Sequence, residues 1–179
     1  MRKIIFVHGL TAGLIMVTLF LITVPLLKNG TLPFSGSMIL GYISMALAFS
    51  FVFFGVRSYR DKIGNGFITF GRAFGVGILI VLLASILYAI AWLFIYYFFW
   101  PDFLDMYGNY VTEEMIRDGK PLAEIEKQRV EMQEFKALYA NPLINAAFTI
   151  LEPMPVGLLM TLVAAFVFRK KPEKEAVTV

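Results

Sequence analysis

Leu151-Glu-Pro-Met-Pro-Val-Gly157 lies inside Leu143 to Phe168, an apolar stretch long enough to cross a bilayer. Its reading decides the fold. A charged carboxylate at such a depth costs roughly 3 kcal/mol on insertion scales. Pro153 and Pro155 lack an N–H and crowd the carbonyl four residues earlier, so the helix is expected to bend around Glu152. The carbonyls of Thr149 and Leu151 then need other donors. An acid and two prolines in a membrane span require shelter from further helices, and the rest of the chain supplies candidates for it.

Working outward, the whole chain is too apolar for an ordinary soluble domain: 59% of residues are hydrophobic and the mean hydropathy is +0.74. Three more spans precede the last, giving spans at about 4–27, 38–56, 74–100 and 143–168. Arg2 and Lys3 before the first resemble a signal peptide, but the apolar run is about twice a signal core and no small-x-small site follows. An uncleaved span is expected. Gly9 and Gly13 form a GxxxG pattern that permits close helix approach, and Gly71 with Gly75 forms another. The second pattern lacks the Lys-Ser/Thr ending of a phosphate loop, so a bend at the interface is expected there, and no cofactor motif remains. Ser37, Ser44 and Ser50 on the second span are expected to pack or to bond their own backbone. Trp92, Tyr96, Tyr97 and Trp100 form an aromatic belt that Pro101 closes.

Residues 101–141 are the one long polar segment, with nine acidic and five basic residues. Two helices are expected, near Asp102–Asp118 and Pro121–Tyr139, broken at Gly119-Lys-Pro121. Val111, Met115 and Ile116 are placed on the inner face of the first, with Thr112 as a candidate cap. Leu122, Ile125, Met132 and Phe135 form the inward stripe of the second, and Glu124–Lys127 and Glu126–Arg129 are candidate pairs on its wet side. The fold expected is an all-α integral membrane protein: a four-helix transmembrane bundle with an extracytoplasmic helical cap and a short basic tail, 169–179. Ten Lys and Arg fall on the side of the termini, against Lys28 and five in the cap, where acids outnumber them. The positive-inside rule therefore makes both termini cytoplasmic.

Arg57-Ser-Tyr-Arg-Asp-Lys62, Phe67-Ile-Thr-Phe70, Tyr97-Phe-Phe-Trp-Pro-Asp-Phe103, the approach from Phe135 to Pro142, and the Glu152 stretch together resemble domain-of-unknown-function family 4199. The likeness covers nearly the whole chain. It implies a small four-span bacterial protein of the inner membrane, and it brings no activity and no catalytic residues with it.

Enzyme readings fare poorly. The single histidine, His8, lies about a dozen residues nearer the cytoplasm than Glu152, roughly 18 Å at helical rise. No serine has a marked base. There is no cysteine, and the cap acids are interleaved with bases and lack EF-hand spacing, so no metal site is expected. Nothing points to nucleic acid. Two candidate surfaces remain. One is an intramembrane polar site of Glu152 with Tyr88, Ser85, Thr18 and Ser44, which lie at compatible depths. Its carboxyl is expected to face the first three spans, either as a proton, cation or substrate contact or as a neutral group fixing helix packing. The other is Arg57, Arg60, Lys62 and Arg72, which either hold anionic lipid head groups or only set topology. The function expected is that of an accessory subunit binding another membrane or envelope protein, or a second copy of itself. The alternative is a small transporter or ion-conducting oligomer using Glu152. A lipid-modifying enzyme would need a pocket joining Glu152 to a second polar group.

Overall fold

The computed structural model describes residues 1–170. The tail beyond Lys170, most of the basic tail expected from sequence, lies outside the described residues. Seven helices occur among the described residues: α1 (Arg2–Lys28), α2 (Phe34–Lys62), α3 (Phe70–Phe98), α4 (Phe103–Arg117), α5 (Leu122–Tyr139), α6 (Pro142–Leu151) and α7 (Met154–Phe168). Four are long and apolar enough to cross a membrane: α1, α2, α3, and α6 with α7 taken together.

The helix ends follow local chemistry. Pro25 is tolerated in the last turn of α1, whose end is held by the Lys28 ammonium donating to the Phe99 carbonyl at 2.7 Å. Asn65 and Gly66 turn the chain after α2 with positive φ, and the Thr69 hydroxyl accepts from the Arg72 N–H to cap α3. Pro121 starts α5 after Gly119, at φ +70, ends the hairpin turn. The last crossing divides where the prolines require it, with Glu152 and Pro153 between α6 and α7.

The bundle is packed unevenly. On the side of the termini all four crossings meet. Gly9 and Gly13 let α3 approach so closely that an added Cβ would lie 2.8 Å from Leu83 and 2.6 Å from Leu87. Gly157 admits Val81, Gly77 admits Thr161, and Gly55 admits Ile80 in the same way. Ala48, Phe49, Val52, Val56, Ile80 and Val81 fill the centre. The residues after α7 join this end: Lys170 and Ile68 exchange backbone hydrogen bonds at 2.9 and 3.0 Å. On the cap side the packing loosens. Every buried residue of α1 precedes Val17, and every buried residue of α2 follows Ser44. There α6 packs on α3 and α5, whereas α2 packs on α7.

The cap is a helical hairpin seated over this looser half. Phe34 at the start of α2 stacks on Tyr110 at 4.9 Å and meets Phe103 and Tyr107 of α4. Lys136 of α5 pairs with Asp105 of α4. Ile125 and Tyr139 are buried, and Met132 and Phe135 half-buried, as the stripe predicts. Several expectations are corrected. Leu122 is 79% exposed and Ile116 57% exposed, because both sit at the free tip where no layer covers them. Thr112 is no cap; α4 starts at Phe103, and the Thr112 hydroxyl donates to the Gly108 carbonyl inside it. Arg129 pairs with Glu126 at 3.0 Å, but Lys127 turns to Glu131 rather than Glu124. Gly71 and Gly75 form no bend: they lie inside α3 and nothing stands within 4 Å of where their Cβ atoms would be.

Candidate functional site

The loose half holds a half-open cavity of about 810 Å³, lined by α1, α2 and α3, roofed by α4 and α5, and reaching the α6–α7 break. Its walls are mainly apolar and aromatic. Phe20 of α1 meets Tyr88 and Trp92 of α3 edge-on at 5.4 and 5.7 Å. Gly41 and Ser44 on α2 and Phe135 and Tyr139 on α5 also line it.

Glu152 lines this cavity together with Phe148, Thr149 and Pro155. Phe148 of α6 and Pro155 of α7 flank Glu152 along this wall on either side of the helix break, and α1, α2 and α3 supply the facing walls. The side chain is exposed, and among the described residues no hydrogen bond or ion pair engages it. Its carboxyl therefore lies on the cavity wall without a bond to the described residues. The turn itself leaves backbone polar groups open. The Glu152 N–H donates to the Phe148 carbonyl and the Gly157 N–H to the Pro153 carbonyl, both at 2.9 Å. Between them Pro153 and Pro155 have no N–H to give the carbonyls of Thr149 and Leu151.

Of the other residues singled out in sequence, Tyr88 and Ser44 reach the same cavity. Tyr88 makes no hydrogen bond to the freed carbonyls among the described residues. The Ser44 hydroxyl donates to the Leu40 carbonyl, and Ser37 and Ser50 likewise bond their own helix. Ser85 is fully buried away from the cavity, its hydroxyl without a partner. Thr18 is exposed on the outside of α1. Matching depth did not imply matching direction for either. His8 lies in the close-packed half, against Gly55, and its Nδ1 contacts the Ile4 carbonyl.

Sequence reasoning missed a buried polar chain at the cavity's edge. The Trp92 Nε1–H donates to the Tyr139 hydroxyl at 2.8 Å, which lies 3.4 Å from the Thr149 hydroxyl. Thr149 in turn donates to the Asn145 carbonyl at 2.9 Å. Asn145 and Thr149, four residues apart on one face of an apolar span, were the signal that would have found it.

Arg57, Arg60, Lys62 and Arg72 lie at the opposite end. Asp61 engages Arg60 at 2.7 Å and Arg57 at 3.6 Å, and the Arg60 guanidinium stands 5.5 Å over the Phe168 ring. Lys62 and Arg72 are exposed. This cluster and Glu152 are separate sites.

Four apolar crossings around a one-sided cavity define a multi-pass helical membrane protein. The family model for Protein of unknown function (DUF4199) matches residues 8–170, and the chain belongs to that family. No curated protein and no solved structure matches it.

Proposed function

We propose that this chain binds a small lipid-soluble molecule in its cap-side cavity and acts as a carrier for it, with Glu152 as the polar contact. The observation that carries this reading is a free carboxyl on the wall of a cavity large enough for a drug-sized ligand. Intramembrane acids that face an internal cavity commonly mark ligand or ion paths. On this reading the protein works by binding rather than catalysis. It sits in a bacterial inner membrane with both termini cytoplasmic, where Lys62 and Arg72 face anionic head groups. Gly41 gives a direct test, since it lines the cavity and a Cβ there meets nothing within 4 Å. Native mass spectrometry of the purified protein should show a bound small molecule that Gly41→Trp displaces. Identical spectra for the two proteins would remove this function.

A second reading is the accessory role, in which the cap meets another membrane or envelope protein. Ile116 and Leu122 favour it, because they leave apolar side chains exposed on both sides of the cap's tip. Photo-crosslinkers placed at 116 and 122 in living cells should then give one discrete adduct that Glu113, on the acidic face, does not give. A smear or no adduct at all three positions argues against it.

A further inference from the structure

We infer that the ligand taken by the cavity is an organic monocation with an apolar body. This rests on the binding function proposed above and adds the sign of the ligand's charge.

The first ground is charge without an answer. Among the described residues no Lys, Arg or His side chain lines the cavity, and Glu152 is its one carboxyl. Asp61, Asp105 and Glu126 have cationic partners, and the acids without one among the described residues, Asp102, Glu113, Asp118, Glu124 and Glu134, lie exposed on the cap rather than on a cavity wall. A carboxylate in a low-dielectric site is stabilised only by a cation or strong donors. Glu152 has neither from the described residues.

The second ground is the backbone at the same place. The negative end of the α6 dipole falls on Glu152. The carbonyls of Thr149 and Leu151 lose their usual donors to Pro153 and Pro155. Carboxylate, dipole and freed carbonyls all have one sign, and discontinuous helices present such C-terminal ends to cations.

The third ground is the wall. Phe20, Tyr88, Trp92 and Phe148 line the same cavity as Glu152 with aromatic rings, whose faces attract cations. A bare metal ion is excluded by the same wall, because hard cations need about six or more oxygen ligands and this lining is mainly hydrocarbon. A cation whose charge is buried in an apolar frame satisfies both the carboxylate and the rings.

Tetraphenylphosphonium and tetraphenylborate have nearly one shape and opposite charges. Trp92 and Trp100, the only two tryptophans, both line the cavity, so intrinsic fluorescence reports its occupancy. Titrations use the full chain in nanodiscs of neutral lipid, corrected for partition into protein-free discs. The phosphonium should bind about tenfold or more tighter than the borate, and Glu152→Gln should abolish that preference. Gly41→Phe, which fills the cavity without adding a third tryptophan, should weaken both probes. If the borate binds as well as the phosphonium and Gly41→Phe removes both, the charge assignment is overturned while the cavity function stands. If neither probe binds any form of the protein, both are overturned. A preference unchanged in Glu152→Gln also overturns the assignment, since another group then carries it.

Discussion

The Trp92 indole N–H donates to the Tyr139 hydroxyl at 2.8 Å, a buried bond between a membrane-crossing helix and the cap. Around it Tyr96 and Phe135 meet Tyr139 edge-on and tilted, at 5.5 and 5.2 Å. The bond and its ring cluster hold α5 against α3. Tyr139→Phe keeps the ring and strands the indole N–H, which costs about 1–3 kcal/mol when buried. The expected outcome is a lower Tm and faster hydrogen exchange along α5, with the four crossings unaffected. Unchanged exchange in α5 would show that the cap is fastened elsewhere.

The two GxxxG patterns should behave oppositely. A Cβ on Gly13 meets Leu87 at 2.6 Å and the Ala84 backbone at 3.2 Å, so Gly13→Ala overpacks the α1–α3 seam and should destabilise by about 1–3 kcal/mol. Gly71→Ala and Gly75→Ala meet nothing within 4 Å and gain helix propensity, a change of up to about 1 kcal/mol in favour. Thermal melts of the three variants in one detergent should separate them by sign.

Ser85 and Thr161 carry fully buried hydroxyls without partners. Removing an unsatisfied polar group is neutral or favourable, so Ser85→Ala and Thr161→Val should hold or raise the Tm. Neither should alter probe binding, because neither lines the cavity. A loss of binding in Ser85→Ala alone would return that residue to the site.

Sidedness is open to direct labelling, since the chain has no cysteine. If the positive-inside rule sets the orientation, Lys120→Cys in the cap should react with a membrane-impermeant maleimide added to intact spheroplasts. Lys62→Cys should react only after lysis. The reverse pattern would invert the orientation.

Much of this was legible in residue order. Hydropathy marked four crossings, and Gly119-Lys-Pro121 marked the break in the cap, because glycine and proline act locally. Helix ends were read short: α2 runs on to Lys62, beyond the apolar limit near Val56, since the backbone ladder continues into water after the apolar face stops. Direction was not legible. Gly9-x3-Gly13 and Gly71-x3-Gly75 are the same pattern, and only the partner helix distinguishes them. Thr18 matched Glu152 in depth and faces away. The cavity depends on how far α2 stands from α6, which no single helix encodes. Glu152 stood out in the sequence because a carboxylate directly before Pro153 and Pro155 is improbable in a span on any packing.

The uneven packing gives the bundle a stiff end and a compliant end. Lateral pressure from the surrounding bilayer meets glycine-mediated contact at one end and open volume at the other. Deformation therefore collects in the cavity walls while the close-packed end keeps its shape. On the carrier reading, membrane tension would therefore change the cross-section that the cavity offers to a ligand.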